Sequence, residues 1–226
     1  MTHDLTLWGI GGRAVRAHWM LLELGLDYVC HPISSRTGET LSDEFLRINP
    51  RHKIPVLQHN SFVLTESAAI VQYLSESFGN SSNEIYVPHD AQSRARLNEW
   101  CYFIMTELDA GSLYIVRRHE GLRQIYGEAP SAVDAAKAYF LHNLEAMAPA
   151  ITSHASYLFG DRLSAADILL MTCLDWAASE RISLPSALSS YRQRIAQRPA
   201  YQAAMKKNYP EFQTDRKDGV IECQEH

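Results

Sequence analysis

Residues 49–74 read Asn49-Pro50-Arg51-His52-Lys53-Ile54-Pro55-Val56-Leu57-Gln58-His59-Asn60-Ser61-Phe62-Val63-Leu64-Thr65-Glu66-Ser67-Ala68-Ala69-Ile70-Val71-Gln72-Tyr73-Leu74. Two short apolar runs flank a turn, and a polar Glu66-Ser67 pair then opens a helix. Pro55 has no amide hydrogen, so it breaks a strand ladder; if cis, it turns the neighbouring backbone towards a ligand that can pair with it as a strand would. Glu66 and Ser67 fall where a helix N-terminus offers unpaired amides to a carboxylate. The stretch reads as a binding site built largely from backbone.

Before it, Leu5 to Trp8 has a strand pattern, and a helix from about Gly12 to Leu24 is stopped by Gly25, which suits a C-cap. A second strand is expected over Tyr28 to Ile33, then a polar loop around Ser34 to Thr40 and a short helix near Phe45. Ile54 to Gln58 and Phe62 to Leu64 make a hairpin, and a helix follows from Glu66 to about Phe78. Strand, helix, strand, then helix, hairpin and helix is a thioredoxin-like order. Asn80 to Asn83, followed by Val87-Pro88, is polar and breaking, as a linker should be.

Beyond the linker only helical periods appear. Leu97, Trp100, Cys101, Ile104 and Leu108 recur at helical spacing, and Ala132 to Met147, Ala165 to Ala178, Ala187 to Ala196 and Tyr201 to Lys207 continue the pattern. Ser164-Ala165-Ala166-Asp167 has the form of a capping box, with Leu163 placed to staple against Ile168. The expected class is therefore α/β plus all-α. A thioredoxin-like domain over 1–80 leads through a linker at 81–90 to a helical bundle over 91–212, with a polar, mobile tail over 213–226.

Composition agrees with an ordinary globular chain, since 46% hydrophobic and 21% charged residues in 226 can close a core. A net charge of -5 with no basic run gives no general attraction to nucleic acid or anionic membrane. The four cysteines, Cys30, Cys101, Cys173 and Cys223, form neither a Cys-x-x-Cys pair nor a metal cluster, so reduced thiols and no metal are expected. The start lacks a basic patch followed by an apolar stretch, and the apolar run from Ile168 to Ala178 is too short for a membrane span. A soluble, cytoplasmic protein is expected.

The Asn49-Pro50, the Lys53-Ile54-Pro55 and the Glu66-Ser67 together resemble the thioredoxin-like half of the glutathione transferases. Ser164-Ala165-Ala166-Asp167 resembles the buried box that opens the central helix of their helical domain. Glu99-Trp100 followed by Thr106-Glu107-Leu108 is similar to a beta-class stretch in which Thr-Glu-Leu is followed by His-Lys, here replaced by Asp109-Ala110. That departure removes two groups which, in the beta class, reach towards glutathione or the second substrate, and it points to a different electrophile or a different arrangement of the site. Arg13-Ala14-Val15-Arg16 resembles the Arg-Ala-x-Arg that begins the first helix in theta- and delta-like members. The resemblance covers the chain up to Phe212 and is to the cytosolic superfamily, bacterial in type.

It implies glutathione as co-substrate, a hydrophobic electrophile as second substrate, and a homodimer. Lys53, Ile54, Pro55, Glu66 and Ser67 would hold glutathione. Trp8, Ile10, Met105, Glu107, Asp109 and Tyr114 would line a pocket for the electrophile between the halves. The site must make a thiolate, the nucleophilic form of the thiol. Most classes place a Tyr, Ser or Cys just after the first strand for this, yet Trp8-Gly9-Ile10-Gly11-Gly12-Arg13-Ala14-Val15-Arg16 contains none of the three. Gly9, Gly11 and Gly12 leave another route, in which the Gly12 and Arg13 amides and the Arg13 cation face the sulfur.

Each of these residues also has a plainer reading. Trp8 suits a core or pocket-wall aromatic, the glycines a tight strand-to-helix turn, and Lys53 a solvated strand-edge lysine. Cys30 suits a buried inert thiol, His52 and His59 solvated loop positions. Arg117-Arg118-His119 suits a basic helix end or capture of an anionic second substrate. Conjugation of glutathione leads; glutathione-dependent disulfide or hydroperoxide reduction, and a glutathione-fold binding protein without turnover, are the alternatives.

Overall fold

The computed structural model describes residues 4–35, 37–80, 84–151 and 156–210. Cys223, the expected tail and the linker positions 81–83 lie outside the described residues. The chain divides into two compact units. The first holds the residues up to Val87 together with a segment that starts at Gln197, and the second runs from Pro88 to Ala196.

In the first unit, β1 (Leu5–Trp8), α1 (Ala14–Glu23), β2 (Val29–His31), α2 (Asp43–Ile48), β3 (Val56–His59), β4 (Phe62–Thr65) and α3 (Ser67–Phe78) follow in the expected order. The sheet order is β2-β1-β3-β4. β1 pairs parallel with β2 and antiparallel with β3, and β3 pairs antiparallel with β4. Leu5 and Leu7 point into the core while Thr6 and Trp8 are half-buried, the period of a strand. β2 is shorter than the Tyr28 to Ile33 span expected for it. The parallel pairing nonetheless runs on past β1, because the Gly9 and Ile10 amides donate to the His31 and Ile33 carbonyls.

α1 ends as Gly25 requires. Gly25 sits at φ 63°, its amide donates to Leu22 and that of Leu26 to Leu21, which is the two-bond Schellman closure. Ala14 to Leu21 are all buried, so α1 is covered on more than one side. α3 packs on it, and so does α10 (Pro199–Asn208). α10 therefore belongs with the thioredoxin-like unit and not with the helices before it, although the sequence period alone joins it to them.

The second unit holds α4 (Ala91–Phe103), a π-helical segment over Ile104–Leu113, α5 (Tyr114–Val116), a second π turn over Arg117–Gly121, α6 (Arg123–Tyr126), α7 (Pro130–Ile151), α8 (Ala165–Ser179) and α9 (Ser186–Ala196). Asp90 and Ser93 close α4 with a capping box that the sequence pattern had not suggested. The π segment was not expected either. Its buried residues are Ile104, Leu108, Asp109, Ser112 and Leu113, a spacing close enough to that of an α-helix to hide the widened turns. At Gly111 a Cβ would lie 2.7 Å from the Thr106 carbonyl oxygen, so the widened turn leaves room only for glycine.

The Ser164 box is present: its Oγ accepts from the Asp167 amide at 3.2 Å, and the Ser164 amide donates to the Asp167 carboxylate at 2.8 Å. Asp167 also accepts from the Leu158 amide and the Tyr191 hydroxyl, tying α8 to α9. A buried ion pair, Arg192 Nε to Asp175 Oδ1 at 2.8 Å, repeats that tie farther along.

Candidate functional site

The first unit brings three backbone features together: the turn after β1, the loop before β3 and the start of α3. Gly9 has φ 112°, and a Cβ on it would lie 2.7 Å from Ile54 Cβ, so only glycine lets the turn close on that loop. The Ile54-Pro55 peptide is cis. Lys53 is exposed, and its carbonyl accepts from Asn49 Nδ2 at 2.7 Å, which ties the loop to the end of α2.

Glu66 precedes α3 at φ 69°, in the left-handed region, and makes no side-chain cap bond. A residue with a Cβ pays about 1–3 kcal/mol there, a cost that persists where surrounding structure enforces it. Its carboxylate pairs with Arg51 at 3.2 Å, and Arg51 also donates to Thr65. Ser67, only 3% exposed, accepts from Nη1 of the buried Arg16 at 3.2 Å. Arg16 thus places a cation and the first helix beside the start of the third.

His18 supports the turn from behind. It is buried on α1, with Nε2 3.0 Å from the Gly9 carbonyl and Nδ1 2.7 Å from the Tyr28 hydroxyl. A carbonyl only accepts, so Nε2 carries the proton and donates to it. Burial lowers the imidazole to about 4, against the raising effect of the Gly9 bond and with help from the Lys207 charge, so the ring is neutral at pH 7 and Nδ1 accepts from Tyr28. Burial also pushes the Tyr28 hydroxyl well up, and the Cys30 thiol up, leaving Cys30 a poor nucleophile.

The Gly12 amide does not stand open. It donates to the Tyr209 hydroxyl at 2.8 Å, and the Gly11 amide donates to Asn208 Oδ1 at 2.9 Å. The amide expected to face a ligand sulfur is thus engaged by a side chain in this structure. Both glycines have positive φ, 72° and 49°. Trp8 stacks on His31 with ring centroids 3.7 Å apart and leans on Phe45; its indole N–H is buried and, among the described residues, has no hydrogen-bond partner.

Two family models match this chain: the glutathione S-transferase N-terminal domain over residues 3–76 and the glutathione S-transferase C-terminal domain over residues 103–199. The chain belongs to the glutathione transferase superfamily. Over 91 residues, 40% of this chain and 38% of the relative, it is 44% identical to glutathione S-transferase D7 of Drosophila melanogaster. Over 149 residues, 65% of this chain and 61% of the relative, it is 29% identical to glutathione S-transferase theta-1 of Mus musculus. The chain thus matches less than two thirds of the length of either curated relative. A solved glutathione transferase from Methylococcus capsulatus strain Bath is 28% identical, with a TM-score of 0.73 over 90% of this chain and 98% of that one.

Within this glutathione transferase fold, Lys53, Ile54, Pro55, Glu66 and Ser67 share the first unit with Trp8, Ile10, Gly12 and Arg13. Met105, Glu107, Asp109 and Tyr114 belong to the second unit. There Asp109 is 1% exposed and so lies inside the helices. Tyr139 donates to Glu107, which holds that carboxyl below its usual range, and Tyr114 lies under the Arg118 guanidinium. Four residues at the site were missed in the sequence: Arg51, His18, Asn208 and Tyr209. His18 carried a faint signal, a polar side chain amid the apolar run from Ala17 to Leu22. Asn208 and Tyr209 carried none, because their partners lie far away in sequence. Among the described residues, no group of His, Cys, Asp and Glu is arranged to hold a metal, and no helix is long and apolar enough to cross a membrane.

Proposed function

We propose that the protein is a glutathione transferase that joins the glutathione thiolate to a hydrophobic electrophile. The observation that carries this reading is the convergence of the Ile54-Pro55 loop, a turn at Gly9 pressed against it, and the α3 start at Glu66-Ser67 with Arg16 behind it. The loop offers extended backbone for a peptide-like ligand, and the strained Glu66 with the Ser67 amide suits a γ-glutamyl group carrying both an amine and a carboxylate. Lys53 suits the carboxylate at the other end of the tripeptide.

The reaction needs three things of these residues: to hold the tripeptide, to aim its cysteine at the turn after β1, and to favour thiolate over thiol. The thiol proton leaves to solvent. The sulfur then forms a bond to an electrophilic carbon as that carbon loses its leaving group or its π bond. Arg13, at the first helix's N-terminal end, adds positive potential there. A homodimer in the cytosol is part of the same reading.

The test is an assay of the purified protein with glutathione and a halo-nitroaromatic electrophile, beside a hydroperoxide and a mixed disulfide. Conjugation well above the non-enzymatic rate supports the reading. Turnover of only the hydroperoxide or disulfide would assign a reductase, and glutathione binding without turnover would assign a binding protein.

A further inference from the structure

The start of α3 carries two opposite charges side by side. Arg51 Nη1 donates to Glu66 Oε1 at 3.2 Å, and Arg51 Nη2 donates to the Thr65 hydroxyl. The backbone under each side chain is fixed from elsewhere. The Arg51 amide donates to Asn49 Oδ1 at 3.1 Å, and the same Asn49 side chain donates through Nδ2 to the Lys53 carbonyl, which holds residue 51 in the loop before β3. On the other side Thr65 pairs with Val56 across β3 and β4, and Glu66 follows it at φ 69°.

As a support for the fold this pair does little. The two side chains are 57% and 67% exposed, and an ion pair so open to water adds almost nothing to stability. It does hold a cation and a carboxylate together at the surface with bonding capacity to spare. A guanidinium has five N–H donors and a carboxylate accepts at either oxygen. Two of the Arg51 donors and Oε1 of Glu66 are used. Among the described residues, the other Arg51 donors and Glu66 Oε2 have no further hydrogen-bond partner. The amino acid end of a γ-glutamyl group is the complement of such a pair, with an ammonium and a carboxylate on one carbon.

We propose that Arg51 is a glutathione-binding residue: its spare N–H donors take the α-carboxylate of the γ-glutamyl group while Glu66 takes the ammonium beside it. The assignment rests on the glutathione transferase reading above, in which Glu66 and Ser67 receive this group. It adds the cation that the reading lacks there, because Lys53 serves the other end of the tripeptide and Arg16 is buried behind Ser67. Arginine suits the task, since two of its donors can meet both oxygens of a planar carboxylate at once. The pair also makes the site selective. A ligand end that lacks either charge leaves Arg51 or Glu66 facing a neutral group. No bond is made or broken at Arg51.

Arg51→Gln tests the assignment, because it removes the charge from an exposed side chain. Calorimetry compares glutathione with an analogue whose γ-glutamyl α-carboxylate is an amide, in parent and variant, with a urea midpoint taken on each sample. The expected result is a glutathione affinity lower by about ten- to thirtyfold in Arg51→Gln, the scale of one charge-assisted hydrogen bond. The amide analogue should bind the parent about as weakly, and should lose no more than about twofold further in the variant, because both changes remove the same contact. The KM for glutathione should rise by the same factor while kcat at saturation stays within about twofold, as for binding shared by ground state and transition state. Arg51→Lys keeps the charge without the fork and should fall between the two. Losses from variant and analogue that simply multiply would make Arg51 a support for Glu66 alone and overturn the assignment. A parent that binds glutathione and its α-amide alike overturns it without any variant and leaves the transferase reading standing, as does unchanged glutathione affinity in Arg51→Gln. A parent protein that binds no glutathione overturns the transferase reading together with this one.

Discussion

Arg198 grips Glu23 with two parallel hydrogen bonds, and both side chains are mostly buried, at 17% and 7% exposure. Glu23 also accepts from Trp19 Nε1 at 2.7 Å, so one carboxylate joins the end of α1, a core indole and the start of α10. Removing one member of such a pair leaves the other charge buried without its counter-charge, here with the Trp19 indole as a remaining donor to Glu23. Arg198→Ala should therefore destabilise the fold by about 3 kcal/mol, read as a lower urea midpoint. It should also loosen the end of α10, so that hydrogen exchange at the Gly11 and Gly12 amides accelerates. A midpoint equal to the parent's would show that α10 is not fastened through Glu23.

His18 gives stability a dependence on pH with a definite sign. The folded ring holds a proton only below about 4, while the unfolded ring binds one below its ordinary value of 6.5. The stabilising effect is complete above the unfolded value and drains away as pH falls from there towards the folded one. Between pH 7 and pH 5 this amounts to about 2 kcal/mol. His18→Gln, which can still donate to Gly9 and accept from Tyr28, should lack that part of the slope. Parallel urea titrations at the two pH values check it, and parent and variant losing equal stability on acidification would refute a neutral buried His18.

Trp8 and Trp19 offer a controlled comparison. The Trp19 indole donates to Glu23, whereas the Trp8 indole is buried with no partner among the described residues. An unpaired buried donor costs about 1–3 kcal/mol, so replacing Trp8 by Phe recovers much of what it loses in packing on His31. Trp19→Phe recovers nothing and leaves a carboxylate oxygen short of a donor. Trp8→Phe should therefore be the milder change by at least about 1 kcal/mol in denaturation. The reverse order would show that the Trp8 donor is satisfied in solution.

What could be read in the sequence was local. Pro55 between Ile54 and Val56, Gly25 after an apolar helix, and Ser164 three residues before Asp167 each fix a short piece of backbone by their own chemistry, and each piece is where it was expected. The site's supports were not legible, because they depend on distance in the chain. Gly12 and Tyr209 are 197 residues apart, and Arg198 and Glu23 are 175 apart. α10 shows an ordinary helical period, and nothing in a period names the helix it will pack on. The π segment escaped for a related reason: its apolar spacing passes for a slightly irregular α-helix unless Gly111 is read as room for a widened turn.

The start of α3 carries the last prediction. Glu66 spends strain at φ 69° and Ser67 keeps its hydroxyl on Arg16, an arrangement that fits a ligand group better than it serves the helix, since neither side chain caps it. Glu66→Gln combined with Ser67→Ala should weaken glutathione binding by about 1–3 kcal/mol, the scale of lost charge-assisted hydrogen bonds. Ser67→Ala also takes a partner from the buried Arg16, so some loss of stability is expected, and the urea midpoint has to be measured on the same sample. Affinity is then compared by calorimetry well below the melting temperature, where both proteins are folded. A double variant that is folded and binds glutathione as tightly as the parent would place the γ-glutamyl group elsewhere, and with it the whole orientation of the tripeptide along the Ile54-Pro55 loop.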